Sequence, residues 1–270
     1  MTLLYRFWAF LRRDYLLAGT SRLSLTWQVA SILFATPILF YLGRLIQPAT
    51  SAHLTPFGGD YFAFVIVGVA VFGVLTTGMA APAAAIRHEQ MIGTLDALMA
   101  TPTAPHTLAL GASLWNVLVA ALQGLVYVVV GVLIFGLEVR TAGLAGTAVV
   151  LALALATFAA LGVVSAAFVV VLRHADPLSG LFAAASALLG GVFYPTSVLP
   201  LPLQRLAELV PLTHALRAVR LALLQGQGLT ALWGEVVILL LFLSILAPLA
   251  VLAMWWAVRQ AKISGTLSGY

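Results

Sequence analysis

Two long hydrophobic segments of this sequence flank the polar stretch Ile86-Arg87-His88-Glu89-Gln90-Met91-Ile92-Gly93-Thr94-Leu95-Asp96-Ala97-Leu98-Met99-Ala100-Thr101-Pro102. Its apolar residues recur at helical spacing, at Met91, Leu95, Leu98 and Met99. Pro102 disfavours a helical conformation of the residue before it, so the helix is expected to end near Ala100. An amphipathic helix between two membrane spans is expected to lie at the membrane surface, where it can contact a soluble partner. A solvated loop between helices is the alternative.

The composition assigns the chain to the membrane proteins. Of its 270 residues, 63% are hydrophobic and 8% are charged, and the mean hydropathy is +1.11. Soluble domains carry about 25% charged residues, so this chain has too few charges to cover a water-facing surface. The absence of cysteine excludes disulfides and thiolate metal sites. The net charge of +5 does not indicate a nucleic-acid partner, because the basic residues of a membrane protein mainly set its orientation.

The hydrophobic segments predict an all-α integral membrane protein with six transmembrane helices and one transmembrane domain over residues 1–270. About 20 residues at 1.5 Å each cross a 30 Å hydrocarbon core. The predicted spans are 26–46, 60–81, 108–135, 144–172, 178–192 and 236–258. Pro82 is expected to close the second span, and residues 47–59 are expected to form a loop.

The N-terminal residues predict an amphipathic helix in the membrane interface, over about 1–22. Apolar residues share one helical face, namely Leu3, Leu4, Phe7, Trp8, Leu11 and Tyr15. Charged residues fall mostly on the other side, at Arg6, Arg13 and Asp14. This pattern is typical of helices that lie at the headgroup level. A frayed cytoplasmic tail is the alternative.

The basic residues predict that both termini and the polar stretch are cytoplasmic. With six spans, eight basic residues fall on the same side of the membrane as the N-terminus, namely Arg6, Arg12, Arg13, Arg22, Arg87, Arg173, Arg259 and Lys262. The other side receives Arg44, Arg140, Arg205, Arg217 and Arg220. Because cytoplasmic segments carry the excess of Lys and Arg, the larger group marks the cytoplasmic side.

Residues 190–228 are apolar, but prolines interrupt them at Pro195, Pro200, Pro202 and Pro211. A single spanning helix loses its hydrogen-bond ladder at such a density of prolines. Two short helices are expected instead, at about 203–209 and 212–224. His214, Arg217 and Arg220 are spaced to form one polar stripe on the second. We interpret the region as a re-entrant helical hairpin at the outer face, with an amphipathic outer loop as the alternative.

Motifs for catalysis or ligand binding are absent from the sequence. The only lysine, Lys262, lies outside any Gly-x4-Gly-Lys-Ser/Thr pattern, so the chain has no phosphate-binding loop for ATP. Its five histidines form no pair at metal-ligand spacing. No charged residue lies near the midpoint of a predicted span, which argues against ion coupling. We therefore expect no catalytic residue, metal site or cofactor in this chain.

Two motifs resemble those of type-2 ABC-transporter permeases. The first, Glu89-x3-Gly93-Thr94-Leu95-Asp96-x-Leu98-x2-Thr101-Pro102, is similar to their cytoplasmic loop between the second and third spans. The second is similar to their outer re-entrant region. It comprises Gly190-Gly191-x-Phe193-Tyr194-Pro195-x3-Leu199-Pro200, then Pro211-Leu212-Thr213-His214-Ala215-Leu216 and Arg220. The resemblance covers nearly the whole chain. One departure is Asp96, where the family more often has Glu.

The resemblance implies the permease subunit of an ATP-driven exporter in a bacterial plasma or inner membrane. Two copies, or one copy and a close relative, would pair in the lipid. A separate ATPase dimer would bind ATP and Mg²⁺ and drive them. The ATPase-coupling helix region, 86–102, would act through Arg87, Glu89, Gly93, Thr94, Leu95 and Asp96. The outer gate would comprise Phe193, Tyr194, Pro195, Pro200, His214 and Arg220.

The cargo is expected to be amphipathic or lipid-like, such as a drug, a lipid or a lipid-linked glycan, because the predicted spans carry almost no fixed charge. Two other classes of function stay open at this point. An ion-coupled secondary carrier would need an ion or proton site, which the spans do not show. A membrane scaffold or lipid enzyme would need a convergent polar cluster.

Overall fold

A computed structural model describes residues 11–12, 22–99, 103–172 and 176–263 of the chain. This part consists of helices joined by turns. The α-helices after residue 21 are α1 (Arg22–Leu54), α2 (Tyr61–Met91), α3 (Leu95–Met99), α4 (Pro105–Phe135), α5 (Leu144–Leu172), α6 (Pro177–Leu189), α7 (Leu201–Ala207), α8 (Pro211–Gln225) and α9 (Trp233–Ile263). Short 3-10 turns occur at Thr55–Phe57, Thr141–Gly143 and Thr196–Val198.

Five of these helices, α1, α2, α4, α5 and α9, are long and apolar enough to cross a membrane. The chain is therefore a multi-pass membrane protein. The predicted fifth span, 178–192, corresponds to α6, which has 13 residues. At 1.5 Å per residue α6 measures about 20 Å, less than the ~30 Å hydrocarbon core. Six crossings therefore stay a prediction.

The prediction that Pro82 closes the second span is wrong. Helix α2 continues through Pro82 to Met91. The missing N–H of proline removes one hydrogen bond from the helix, but Pro82 is buried. Gly162 of α5 lies so close that a Cβ there would be 2.4 Å from the Met79 oxygen and 3.0 Å from Cγ of Pro82. Close packing against α5 thus supports the helix where the proline weakens it.

The predicted loop over 47–59 is also wrong in its first half, because α1 continues past Pro48 to Leu54. The chain then makes the turn Thr55–Phe57, and Gly58 and Gly59 adopt positive φ angles of 98° and 76°. Asp60 begins α2, where its carboxylate accepts a hydrogen bond from the Phe62 N–H at 2.9 Å. The reversal between the two helices therefore occupies six residues rather than thirteen.

Helices α2 and α5 form the centre of the molecule. In the most apolar part of α2, 67% of the residues are buried, and in that of α5, 56%, against 11–17% in α1, α4 and α9. Helix α2 packs on α4 and α5, and α5 also packs on α9. A large apolar cluster joins α2, α5, α8 and α9 through Ile66, Phe158, Leu216 and Leu239, among others. The three less buried helices leave apolar faces for lipid or for another subunit.

The bundle has two ends, which we name by the short helices they carry. The α3 end contains the C-terminus of α2 and the N-terminus of α4. The α8 end contains α7, α8 and the N-terminus of α9. Two short helices thus occupy the region predicted to form the re-entrant hairpin. The predicted interfacial helix, 1–22, falls outside the described residues apart from 11–12 and Arg22.

Candidate functional site

At the α3 end, a tight turn that we call the Glu89 turn (Glu89 to Leu95) links α2 to α3. Gly93 has a φ angle of 73°, a left-handed conformation that costs glycine little. The Gly93 N–H donates to the Gln90 oxygen at 3.2 Å, and the Thr94 N–H to the Glu89 oxygen at 3.1 Å. This pair of bonds is the Schellman arrangement, which ends a helix by satisfying its last carbonyls.

The side chains of the Glu89 turn add to its rigidity. Glu89 is only 5% exposed, and its carboxylate accepts a hydrogen bond from the Thr94 hydroxyl. Leu95 is buried as well and packs in an apolar cluster of α2, α5 and α9. Because both the backbone and the side chains are fixed, the turn can transmit a force rather than absorb it.

Three residues connect the Glu89 turn to its surroundings, one toward the bundle and two away from it. The Gln90 side-chain amide donates to the Val169 carbonyl of α5 at 3.3 Å. Met91 and Ile92 are 63% and 55% exposed, so they present an apolar surface beyond the end of α2. The turn is thus anchored inside the bundle and offers a contact surface outside it.

The single helix predicted between Ile86 and Ala100 is two helices in the structure. Helix α2 ends at Met91, and α3 begins at Leu95 and has five residues. Gly93 explains the break, because glycine in a left-handed conformation is the usual residue just past a helix end. Arg87 is half-buried on α2. The side chain of Asp96 lies outside the described part of the structure.

At the α8 end, Arg220 is buried and binds backbone carbonyls. Its Nε donates to the Phe64 oxygen at 3.1 Å, Nη1 to the Gly191 oxygen at 2.9 Å and Nη2 to the Val192 oxygen at 3.0 Å. The guanidinium carbon lies 3.4 Å from the centroid of the Phe64 ring, a cation–π contact. We call this group the Arg220 site. It fastens the loop after α6 to the first turns of α2.

The Arg220 site depends on close approach to α2. A Cβ on Gly68 would lie 2.4 Å from Nη2 of Arg220 and 2.5 Å from the Val192 oxygen. No side chain fits between α2 and the loop at this position. The Tyr61 hydroxyl adds a bond from α2 to the Phe193 oxygen at 2.9 Å. Burial lowers the pKa of Arg220 to about 9, so the side chain stays protonated at neutral pH.

A second polar group at the α8 end, the His214 cluster, contains His214, Arg217, Glu208 and Glu235. Nδ1 of His214 lies 2.6 Å from Oε2 of Glu235, and Nε2 lies 2.9 Å from the Glu208 backbone oxygen. Arg217 donates to Oε1 of Glu235 at 3.0 Å and also to the Glu208 carboxylate. The cluster therefore joins the end of α7, the middle of α8 and the first turn of α9.

The single polar stripe predicted for α8 is wrong for Arg220. His214 and Arg217 contact the same carboxylate of Glu235, whereas Arg220 contacts α2 and the loop after α6. Successive steps of three residues turn by about 300°, so the third residue drifts away from the first. Helix α8 consequently contacts α7 and α9 through one polar group, and α2 and the loop after α6 through another.

The His214 cluster predicts a pH-dependent stability. Burial opposes a charged imidazole, but the hydrogen bond to Glu235 and the interactions with Glu208 outweigh it and raise the pKa of His214 above 6.5. Because folding raises this pKa, the protonated His214 stabilises the folded state. The stabilisation is complete below pH 6.5, the pKa in the unfolded chain, and is lost as the pH rises through the pKa of the folded state. We expect the melting temperature to fall between pH 6 and pH 9, and to fall less in His214→Gln. Exposed His53→Gln is the control; an equal slope in both variants would contradict the assignment.

Comparison of the sequence with known protein families gives a match that covers most of the chain. The sequence model described as the ABC-2 type transporter matches residues 5–224. The chain belongs to the ABC-2 type transporter membrane family. This family comprises the membrane-spanning permeases of ABC transporters, which are not themselves the ATPase and normally work with a separate ATPase subunit. No individual curated protein matched the sequence.

In this permease the residues predicted for ATPase coupling lie together, because they are neighbours in sequence around one turn. The residues predicted for the outer gate do not form one group. Phe193 is 43% exposed, and the Tyr194 hydroxyl donates to the Leu188 oxygen at 2.5 Å. Pro195 and Pro200 precede the 3-10 turn and α7, respectively. His214 and Arg220 belong to the two separate polar groups described above.

Five residues that contribute to the Glu89 turn, the Arg220 site or the His214 cluster were not singled out by any sequence motif. These are Phe64, Gly68, Gln90, Glu208 and Glu235. One of them carried a usable signal: an acidic residue at the start of an apolar helix, such as Glu235, requires a partner at that depth. Gly68 acts through the absence of a side chain, and Phe64, Gln90 and Glu208 bind partners remote in sequence or backbone atoms, which no local pattern reveals.

Proposed function

We propose that this permease forms half of the membrane channel of an ATP-driven exporter, paired with a second copy or a close relative. A separate ATPase dimer, which binds ATP and Mg²⁺, seats on the Glu89 turn from the cytoplasm. The observation that carries this proposal is the turn itself. Its Glu89 and Leu95 side chains are buried, its backbone hydrogen bonds close the end of α2, and it presents Met91 and Ile92 on the outside.

Helix α2 supplies the mechanical link in this proposal. Its 31 residues span about 46 Å at 1.5 Å each. The Glu89 turn lies at one end, and Phe64 and Gly68, which contact Arg220, lie near the other. A displacement of the turn by the ATPase would therefore move the Arg220 site, because a packed helix moves as a rigid body.

The gate in this proposal is the loop after α6 together with α7 and α8, which re-enter the membrane from the outer face. The loop is held to α2 through Arg220 and Tyr61. Movement of α2 would reposition Phe193 and the neighbouring Tyr194 at the exit. Transport is outward, both termini are cytoplasmic, and α6 with its loop supplies the sixth crossing. Residues 1–22 form the interfacial helix beside the ATPase.

The cargo that suits this body is amphipathic or lipid-like. The apolar faces of α1, α4 and α9 are accessible from the side. Only 11–17% of the residues in the most apolar part of each of these helices are buried. A drug, a lipid or a lipid-linked glycan can enter such a body laterally from the membrane. The pairing of two permeases would cover part of the same faces.

The experiment that tests this proposal is affinity purification of the permease from native membranes, followed by mass spectrometry. We expect a stoichiometric soluble protein with a phosphate-binding loop to accompany the permease. Glu89→Gln combined with Thr94→Val removes the bond inside the turn. We expect this variant to retain its helical circular dichroism spectrum. The amount of ATPase that co-purifies with it should fall at least tenfold.

Glu138→Gln is the matched control, because Glu138 is exposed in the loop between α4 and α5 at the other end of the bundle. We expect it to retain the ATPase fully. A permease that purifies alone and transports in liposomes without ATP would refute the proposal. Such transport, if it followed a proton gradient, would indicate a secondary carrier instead.

A further inference from the structure

A cavity at the α8 end lies beside the Arg220 site and is distinct from the Glu89 turn. It has a volume of about 290 Å³, near the lower limit of ligand pockets, which hold about 300–1,000 Å³. Its walls come from the end of α1, the start of α2, the loop after α6 and α8. The cavity thus lies where the proposed gate meets the bundle.

The polar residues of this cavity are basic or neutral. His53, Arg217 and Arg220 line it, and Thr196 and Ser197 add hydroxyl groups. No carboxylate is found among the described lining residues. The two carboxylates nearest to Arg217 are those of Glu208 and Glu235, which bind it within the His214 cluster.

Within the described part of the chain, no acidic side chain pairs with Arg220. Arg220 is 2% exposed, and the described partners of its guanidinium are three carbonyl dipoles and the Phe64 ring. A buried charge without a counter-ion is costly, and its field extends into the cavity because a low dielectric screens it weakly. The cavity therefore favours a negatively charged occupant.

The remaining walls are apolar and suit a hydrocarbon chain. Phe57, Pro56 and Leu221 line the cavity with the ring of Phe64. We propose that this cavity binds the anionic head of an amphiphile, a phosphate ester or a carboxylate, with the attached carbon chain against these residues. The proposal goes beyond the permease function and does not depend on how the ATPase is coupled.

The ligand has two possible sources with the same chemistry. It is either a resident anionic phospholipid of the outer leaflet or an anionic cargo on its way out. The binding assay uses purified full-length permease in nanodiscs of zwitterionic phosphatidylcholine, without ATPase. The probe is radiolabelled decyl phosphate, and decyltrimethylammonium is the cationic control. Protein-free nanodiscs supply the background of partition into lipid.

The test exploits Ser197, whose side chain is exposed at the cavity. We expect saturable binding of decyl phosphate, a dissociation constant at least tenfold higher in Ser197→Glu, and a change below twofold in Ser197→Gln. Ser197→Lys should bind more tightly than the unchanged protein. Arg205→Gln, which removes an exposed positive charge outside the cavity, should have no effect.

The outcomes separate the two sources. Competition by added phosphatidylglycerol would support a resident lipid. Lack of competition, together with ATP-driven accumulation of decyl phosphate in liposomes that contain the co-purified ATPase, would support a cargo. Equal affinities of Ser197→Glu and Ser197→Gln, or equal binding of the cationic amphiphile, would overturn the proposal. Because binding is measured without ATPase, failure of the coupling proposal would leave this result unaffected.

Discussion

Replacement of Arg220 by leucine is expected to lower the free energy of unfolding by roughly 3–5 kcal/mol, because it removes hydrogen bonds from a charged donor, which are worth about 1.5–3 kcal/mol each. Three buried carbonyls, of Phe64, Gly191 and Val192, lose their donors. Each buried group left without a partner costs about 1–3 kcal/mol. The loop after α6 also loses its attachment to α2, so transport should be lost together with stability.

Two further variants make the Arg220 prediction specific. Arg220→Lys retains the charge but not the planar fork that reaches three carbonyls, so an intermediate loss is expected. Arg205→Leu removes an exposed arginine of α7 and should change stability by less than about 0.5 kcal/mol. Thermal unfolding in mild detergent, followed by circular dichroism, measures all three. A loss for Arg220→Leu no larger than that for Arg205→Leu would contradict the Arg220 site.

Gly68→Ala is expected to destabilise the protein by about 1–3 kcal/mol, the cost of an added carbon in a packed core. Its Cβ would lie 2.5 Å from the Val192 carbonyl oxygen and 2.4 Å from Nη2 of Arg220. The Val192 oxygen is a backbone atom, and Arg220 is held by three carbonyls, so displacement of either costs hydrogen bonds. The expected result is a lower melting temperature and weakened closure of the loop.

Gly73→Ala is the matched control for Gly68→Ala, since both glycines belong to α2. Apart from the local backbone of α2, no atom of the described residues lies within 4 Å of a Cβ built on Gly73. Alanine in the interior of a helix is favoured over glycine by roughly 0.5–1 kcal/mol, so this variant should be neutral or slightly more stable. The two substitutions are chemically identical and should act with opposite signs. Equal effects would show that the contact at Gly68 does not limit packing.

The sequence predicts the parts of this fold that depend on local pattern. Helix α5 has the predicted bounds, 144–172, because its apolar run contains no proline and ends at the polar residues from 173 onward. The prediction at Pro82 failed because packing against α5 supports a helix across a proline that an isolated helix would not tolerate. The continuation of α1 past Pro48 has no such explanation in the structure. Gly93, read as a helix-ending residue, would have predicted the break between α2 and α3.

The site was less predictable because its partners are remote or are backbone atoms. The Arg220 bond to Phe64 joins residues 156 positions apart, and a carbonyl oxygen carries no residue-specific signal. The pattern on α8 identified three polar residues but could not show that they belong to two separate groups with different partners. By contrast, the Glu89 turn is closed between residues five positions apart, and its members stand in one motif.

The most direct test of the central claim, that an ATPase drives this permease through the Glu89 turn, is site-directed cross-linking. The chain contains no cysteine, so Met91→Cys introduces a single thiol on a residue that is 63% exposed. Leu201→Cys, 72% exposed at the α8 end, is the control. The account predicts a nucleotide-sensitive cross-link to the co-purified ATPase from Met91→Cys and none from Leu201→Cys. No cross-link from Met91→Cys, or an equal one from Leu201→Cys, would contradict it.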